Sequence, residues 1–331
     1  MNYRRFGRTG WKVSEVGYGM WGLAGWTGSD DTETLTSLRR SIELGCNFFD
    51  TAWAYGDGRS EQILAKVLKE FRVNAGVGGP DKHLYVATKI PPKNRRWPST
   101  RTFTVDDCYP PEYIAEYIDK SLANLGVETI DLMQFHTWED RWLNDDRIAR
   151  AAAAAKQSGK VRAFGVSVNR WEPHNGIRAV LEGVAEAVQV IYNIFDQNPE
   201  DALFPICRMK DAGVIARVPF DEGTLTGTLT LDATWPAGDW RNTYFVAENL
   251  KSSVAHAEAL RPLVPAGSTM AELAMRFILS NPDVGTIIPG MRKTRHVESN
   301  MGASAAGPLA GELLRKLKDH RWDRNPTSWS Q

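Results

Sequence analysis

The chain has 331 residues, a length that α/β barrels commonly reach within one domain. Its 40 basic and 40 acidic side chains give a formal net charge of zero, which argues against nucleic acid or an anionic membrane surface as the main partner. No apolar run approaches the ~18 residues that span a membrane, and no apolar stretch follows the charged N-terminus, so we expect neither a membrane segment nor a secretory signal.

The predicted elements begin with a hairpin, in which YRRF and WKVS flank the glycine-containing turn GRTG. Strands and helices then alternate along the chain. The predicted strands are VGYG, NFFD, LYVATKI, IDLMQF, VRAFGVSV, VQVIY, VIARVPF and VGTIIPG. The intervening helices, which repeat apolar side chains on one face, are predicted over residues 30–45, 60–70, 111–125, 148–157, 176–182, 202–212, 247–260, 269–279 and from 295 onward.

This strict alternation predicts parallel strands joined by helical crossovers. Eight such units at this length favour a closed (β/α)8 barrel, a TIM barrel, with an N-terminal β-hairpin and a C-terminal helical extension. We expect one domain over residues 1–331. No GxGxxG follows the first strand, so the pattern gives little support to a Rossmann fold.

Two segments are longer than a connecting loop needs to be, residues 91–109 after the third barrel strand and residues 221–244 after the seventh. Loops that follow the strands of a barrel carry its site. We therefore expect both segments to cover a substrate or cofactor, with a plain surface insertion as the alternative. An irregular tail is predicted over residues 319–331.

Four ionisable residues lie at or just past the ends of the second, third and fourth barrel strands: Asp50, Tyr55, Lys89 and His136. Tyrosine in water has a pKa near 10, and a nearby ammonium lowers it. Lys89 can supply that ammonium, Asp50 can balance its charge, and His136 can orient a substrate oxygen. Such a group can donate the Tyr55 proton to a carbonyl oxygen as a hydride reaches the carbon.

Two segments around this quartet resemble the aldo-keto reductases. DTAWAYGDGRSE is similar to that family's Asp-Thr-Ala…Tyr-Gly…Ser-Glu signature, and LANLGVETIDLMQFH is similar to the segment that ends in its catalytic histidine. The resemblance runs from the hairpin to about residue 303. It implies that Tyr55 is the acid/base, that Asp50 and Lys89 tune it, that His136 orients the substrate, and that a nicotinamide cofactor binds without a Rossmann fold.

The resemblance also implies which residues hold that cofactor. Residues 19–21 lie near the nicotinamide, Ser167 and Gln189 hold its carboxamide, residues 218–227 close on the pyrophosphate, and residues 290–300 hold the adenosine end. The whole set is Gly19, Met20, Trp21, Asp50, Ser167, Gln189, Arg217, Val218, Pro219, Phe220, Gly223, Leu225, Gly227, Gly290, Met291, Arg292, His296 and Asn300.

The chain departs from the family pattern on this cofactor face. Val168 separates Ser167 from Asn169, whereas an asparagine usually follows the serine directly. His296 replaces a common glutamine and Ser299 a common glutamate.

Arg217 occupies a position where the family usually has an aromatic side chain that stacks on the nicotinamide. Its planar guanidinium can stack on a ring face, so we expect it to contact the cofactor or the substrate. Pairing with a rim carboxylate is the alternative.

A helix N-terminus preceded by Arg292 and Lys293 favours an adenosine 2′-phosphate. We therefore expect NADP(H) as the preferred cofactor, with NAD(H) as the alternative.

Five tryptophans fall in predicted loops after strands, a position that favours an aromatic-walled substrate pocket over simple rim packing. They are Trp21, Trp26, Trp53, Trp97 and Trp138. Such a wall suits a sugar-like, polycyclic or aromatic carbonyl or alcohol.

The cysteines and histidines predict no metal site. Cys46, Cys108 and Cys207 are far apart, and the six histidines show no HxH or HxxxH pairing. The odd cysteine count also fits a reducing cytoplasm, where we expect the protein to reside. The pattern leaves the oligomeric state open.

The leading hypothesis is an NADP(H)-dependent reductase of an aldehyde or ketone, which could be sugar-like or polycyclic. The same site could act mainly as a dehydrogenase on a secondary alcohol or sugar hydroxyl. A hypothesis from another class is a non-catalytic, nicotinamide-binding regulatory subunit, whose expected signs are a lost catalytic residue or an extra interaction domain; neither is visible in the sequence.

Overall fold

The computed structural model describes residues 1–24, 30–72 and 79–327. Strands β1 (Tyr3–Phe6) and β2 (Trp11–Ser14) form the predicted antiparallel hairpin. The other strands make one parallel, eight-stranded sheet in the order of the sequence. They are β3 (Tyr18–Gly19), β4 (Phe48–Asp50), β5 (Tyr85–Ile90), β6 (Ile130–Phe135), β7 (Val161–Ser167), β8 (Ala187–Ile191), β9 (Gly213–Arg217) and β10 (Thr286–Ile287).

The two edges of this sheet meet, which nearly closes it into a barrel. Parallel bridges join Val16 to Ile287 and Gly19 to Gly290, and the Gly19 amide donates to the carbonyl of Pro289 at 3.0 Å. A Cβ atom at Gly19 would lie 2.4 Å from the carbonyl oxygen of Ile288. The absence of a side chain at this position therefore lets the first and last strands approach each other.

Helices cover the outside of the barrel, and some begin at residues that favour a helix start. Asp30 caps the first helix by accepting a hydrogen bond from the Glu33 amide at 2.7 Å, and Pro111 begins the fourth. The helices are α1 (Asp31–Glu43), α2 (Arg59–Arg72), α3 (Val105–Cys108), α4 (Pro111–Leu125), α5 (Arg147–Gln157), α6 (Ile177–Leu181), α7 (Leu203–Met209), α8 (Arg241–Tyr244), α9 (Ala247–Leu260), α10 (Met270–Leu279), α11 (Thr294–Ala306) and α12 (Gly311–Lys318).

The predicted TIM barrel with its N-terminal hairpin is confirmed, and α12 is the C-terminal helical extension. The described helices include none that is both long and apolar enough to cross a membrane.

The hairpin closes the end of the barrel opposite the strand carboxyl termini. The Phe6 ring is fully buried there, 5.6 Å from the Phe48 ring. Cβ atoms at Gly213 and Gly285 would come within 2.6 and 2.7 Å of that ring. With this end filled, the other end of the barrel is the one that can hold a ligand.

Candidate active site

The carboxyl ends of β4 and β5 bring three of the four predicted catalytic side chains into contact. Lys89 lies on β5 with its ammonium fully buried, and its Nζ donates to Asp50 Oδ1 at 2.6 Å and to the Thr51 carbonyl at 2.8 Å. The same nitrogen lies 3.3 Å from the Tyr55 hydroxyl. The ammonium therefore lies between a carboxylate and a phenol.

Amides from two further strands fix the carboxylate of Asp50. Gln134 on β6 and Gln189 on β8 donate from Nε2 to Asp50 Oδ2, at 3.2 and 2.7 Å. Asp50 is 2% exposed, so these hydrogen bonds replace the ones to water that the carboxylate loses when it is buried. Gln134 was not among the predicted site residues, although its place on β6 beside Lys89 follows from the strand assignment.

The Lys89 ammonium keeps its charge although it is buried. Burial opposes that charge, but Asp50 and Tyr55 outweigh the cost and raise the pKa of Lys89 above its ordinary value.

The pKa of Tyr55 is raised, whereas the sequence predicted that a nearby ammonium would lower it. Burial disfavours the phenolate and raises the pKa of Tyr55 above its ordinary value. Lys89 and Arg217 pull the pKa down, Asp50 pushes it up, and burial is the largest of these effects. Tyr55 is therefore a protonated phenol at neutral pH, which is the form that can donate a proton.

His136 follows β6 and faces Tyr55 across the cavity. The two rings lie 5.6 Å apart at 74°, and the ring of Trp97 lies 5.6 Å from His136 on another side. Burial, then the charges of Lys89 and Arg217, hold the pKa of His136 well below its ordinary value. The imidazole is therefore neutral, and its buried Nδ1 has no hydrogen-bond partner among the described residues.

These side chains open into a cavity of about 1200 Å³ at the carboxyl ends of the strands. The cavity runs from the reactive end, at Tyr55 and His136, to the start of α11, at Arg292 and His296. Most of the predicted cofactor residues line it: Gly19, Met20, Trp21, Asp50, Ser167, Gln189, Arg217, Val218, Pro219, Phe220, Gly223, Gly290, Arg292 and His296.

Four predicted cofactor residues are not part of this lining. Leu225 and Met291 are fully buried in the core, Asn300 is 6% exposed, and Gly227 follows the short helical turn over residues 221–226. They can shape the cavity only through the residues that line it.

Asn169, one residue later than the family's usual asparagine, still lines the cavity after β7. Ser167 and Val168 also line the cavity, and the Val168 side chain packs into the core. The Asn169 amide donates to Ser99 Oγ at 3.0 Å and to Glu172 Oε2 at 2.9 Å. Asn169 therefore ties the 91–109 segment to the end of β7.

The five predicted substrate tryptophans differ in position. Trp21 and Trp97 line the cavity and are 46% and 41% exposed. Trp53 packs edge-on against Tyr117, with ring centroids 4.9 Å apart. Trp138 is fully buried, and its Nε1 donates to Asp140 at 2.8 Å. Neither Trp53 nor Trp138 lies in the cavity wall, and Trp26 lies outside the described residues.

Two other tryptophans do line the cavity, Trp171 and Trp240. Trp240 lies 5.4 Å from Trp21, edge to face. Trp171 follows β7, so the position after a strand end would have found it; Trp240 belongs to the 221–244 segment that was expected to cover the site.

The segment after β9 has unusual backbone angles and is held by two ion pairs. Val218, Asp221 and Glu222 have φ of 55°, 44° and 57°, values that residues other than glycine seldom adopt. Asp221 accepts from Arg324 at 2.8 Å, and Glu222 accepts from Arg170 at 2.6 Å. Arg324 comes from the C-terminal tail, which reaches the cavity through Pro326.

Comparison with known proteins agrees with this geometry. The model of the aldo/keto reductase family matches residues 15–321. The chain belongs to the aldo/keto reductase family. It is therefore an oxidoreductase of a family that uses nicotinamide cofactors on carbonyl or alcohol substrates.

Three relatives show the spread within this family. An NADH-specific methylglyoxal reductase of Escherichia coli is 31% identical, over 90% of this chain and 91% of its own length. An NADP(+) aldo-keto reductase of Schizosaccharomyces pombe, yakc, is 27% identical over 88% and 84%. A glycerol dehydrogenase structure from Gluconobacter oxydans superposes with a TM-score of 0.77 at 27% identity, over 99% and 98%.

The described part of this aldo/keto reductase contains no cluster of three or more histidine, cysteine, aspartate or glutamate side chains that could hold a metal ion.

The neutral, buried His136 makes a prediction about stability and pH. Its pKa is depressed in the folded state, so the unfolded chain binds an extra proton below about pH 6.5 and folding weakens as the pH falls. We expect the unfolding free energy, measured by urea titration from pH 7 to 5, to fall more steeply in the wild type than in His136→Gln. The two slopes should differ by at most about 1.4 kcal/mol per pH unit. Equal slopes would show that His136 is not held neutral.

Proposed function

We propose that the protein is an NADP(H)-dependent oxidoreductase that reduces a small aldehyde or ketone to an alcohol, with Tyr55 as general acid. The observation that carries this proposal is the 3.3 Å approach of the buried Lys89 ammonium to the Tyr55 hydroxyl at the cavity wall. A phenol beside a fixed cation can lose its proton to a substrate because the phenolate left behind is stabilised.

Each member of the quartet has a separate role in this reaction. Tyr55 and the neutral His136 hydrogen-bond the substrate oxygen and hold the carbonyl in place. A bound nicotinamide supplies the hydride. As negative charge grows on the oxygen, Tyr55 donates its proton, and Lys89 stabilises the phenolate. Asp50 keeps Lys89 charged and positioned.

The same groups work in reverse, since Tyr55 can accept the proton of an alcohol while a hydride leaves the carbon. The superposable structure described as a glycerol dehydrogenase supports this direction as the second candidate.

The cavity fits an extended dinucleotide. Its inner end has the Ser167 hydroxyl and the Gln189 amide, which suit a carboxamide. Its middle follows residues 218–223, where a Cβ added to Gly223 would meet nothing within 4 Å. That open backbone can approach a pyrophosphate closely.

The outer end of the cavity supports NADP(H) over NAD(H). Arg292 lines it, and Lys293 directly precedes α11. Burial, then Arg295, Lys293 and Arg292, lower the pKa of His296, which marks a locally positive field. A 2′-phosphate would be favoured by that field. The relatives include both an NADP(+) and an NADH-specific enzyme, so family membership does not determine the cofactor. The proposed preference rests on Arg292, Lys293 and the positive charge around them.

The substrate site is proposed at the reactive end, with Trp21 and Trp97 as aromatic walls. Both rings are accessible from the cavity, and Ser99, Thr100, Glu172 and His174 add polar groups to the same lining. A small carbonyl compound with polar substituents suits this mixture.

Replacing Tyr55 tests the function. Tyr55→Phe removes the proton donor while keeping the ring, and we expect reduction to fall by roughly 10²–10⁴-fold. The measurement is nicotinamide absorbance across a carbonyl panel. Tyr85→Phe is the matched control, since Tyr85 begins β5 at the far end of the barrel. Full activity in Tyr55→Phe would contradict the mechanism.

The cofactor preference has its own test. We expect the dissociation constant for NADPH to be about 10-fold or more below that for NADH, because a phosphate bound by charged donors gains roughly 1.5–3 kcal/mol. Fluorescence titration of the two reduced cofactors measures it. Comparable constants would defeat the preference.

A further inference from the structure

Arg217 is a cation at the reactive end of the cavity that the quartet does not use. It ends β9, lines the cavity and is partly buried. Its Nη2 donates to the Val168 carbonyl at 3.1 Å. Its Nε is buried and has no hydrogen-bond partner among the described residues. The protein therefore leaves part of the hydrogen-bonding capacity of this guanidinium unused.

The charge of Arg217 is also poorly balanced. No described carboxylate lies within 4.0 Å of it. The two carboxylates that follow β9 are paired with other arginines, Asp221 with Arg324 at 2.8 Å and Glu222 with Arg170 at 2.6 Å. Burial, then repulsion from Arg170, lowers the pKa of Arg217. A buried cation without a paired carboxylate is stabilised when a ligand places an anion beside it.

Arg217 lines the same cavity as the groups that would hold a substrate carbonyl. Arg217 lowers the pKa of both Tyr55 and His136 through its charge. Two other cations nearby are already paired, Lys89 with Asp50 and Arg170 with Glu222, each at 2.6 Å. An anion beside the carbonyl would therefore meet Arg217, not Lys89.

We propose that Arg217 binds a carboxylate on the carbon next to the reacting carbonyl, so that the preferred substrates are 2-oxo acids and, in reverse, 2-hydroxy acids. This inference rests on the proposed function and narrows its substrate class. A guanidinium suits a carboxylate because its parallel N–H groups can donate to both oxygens.

The reaction balances without any further reactant. The C=O π bond of the 2-oxo acid breaks, the hydride from the reduced cofactor forms the new C–H bond, and the Tyr55 proton forms the O–H bond. The reduced cofactor is oxidised and the keto carbon is reduced. The carboxylate is unchanged, and solvent returns a proton to Tyr55.

A cofactor phosphate is the other anion that could reach Arg217. The substrate carboxylate and the cofactor phosphate predict different losses of binding in Arg217 variants. If the anion is the substrate carboxylate, carboxylate binding weakens and cofactor binding stays; if it is a phosphate, cofactor binding weakens.

The test uses oxamate, an unreactive analogue of a 2-oxo acid, titrated into the protein saturated with oxidised cofactor and followed by calorimetry. We expect Arg217→Met to weaken oxamate binding by about 10-fold or more, and Arg217→Lys to weaken it less, since a charged hydrogen bond contributes roughly 1.5–3 kcal/mol. Arg96→Met is the matched control. Arg96 is exposed on the 91–109 segment and lies outside the cavity lining, so its loss should leave oxamate binding unchanged.

Kinetics supply a second readout that a folding defect would not mimic. We expect Arg217→Met to lower kcat/KM for pyruvate by at least about 10-fold more than it lowers kcat/KM for the neutral diketone butane-2,3-dione. The dissociation constant of the cofactor should rise by a smaller factor than that of oxamate.

The outcomes separate this inference from the proposed function. If neutral carbonyls are reduced but the wild type does not bind oxamate, the inference fails and the function stands. If Arg217→Met loses cofactor affinity while oxamate binding is unchanged, the anion is a phosphate and the inference fails. If oxamate binding depends on Arg217 but Tyr55→Phe keeps full activity, the carboxylate site stands and the mechanism fails.

Discussion

The rest of the site depends on one interaction, the buried ion pair between Lys89 and Asp50. The Lys89 ammonium has no exposed surface, so it can stay charged only if the protein replaces the water it has lost. Asp50, the Thr51 carbonyl and the Tyr55 hydroxyl surround it at 2.6, 2.8 and 3.3 Å. Removing Asp50 would leave an unbalanced buried charge beside the phenol.

This pair also explains why the chemistry needs the whole barrel. Asp50 ends β4 and Lys89 lies on β5, but the second oxygen of Asp50 is held by Gln134 from β6 and Gln189 from β8. Four strands therefore fix one carboxylate. Catalytic groups placed on strands move less than groups placed on loops, and that rigidity preserves the short distances on which a proton donor relies.

Much of this arrangement could be predicted from the sequence. Strand and helix signals are local, so the alternation that defines the barrel is visible without any tertiary information. The parallel order then places Asp50, Lys89 and His136 at one rim. The sequence could not give the net pKa shift of Tyr55, because burial depends on what packs around the ring. It also could not show that Trp138 bonds to Asp140 within the core, whereas Trp97 faces the cavity.

The contacts made by the C-terminal tail were likewise beyond prediction. Arg324 reaches Asp221, 103 positions earlier, and no local pattern specifies a pairing at that separation. The same holds for Asn169, which lines the cavity while its amide bonds to Ser99, 70 positions earlier. In both cases residues distant in sequence settle the position of a loop around the site.

The central claim is that Lys89 acts through Tyr55. It is tested by single-turnover oxidation of the bound reduced cofactor in four proteins: the wild type, Tyr55→Phe, Lys89→Met and the double variant. Residues that act as one unit show strongly non-additive losses. The account predicts that Lys89→Met slows the wild type greatly but slows Tyr55→Phe little further. Losses that simply multiply in the double variant would contradict it, because Lys89 would then act independently of the phenol.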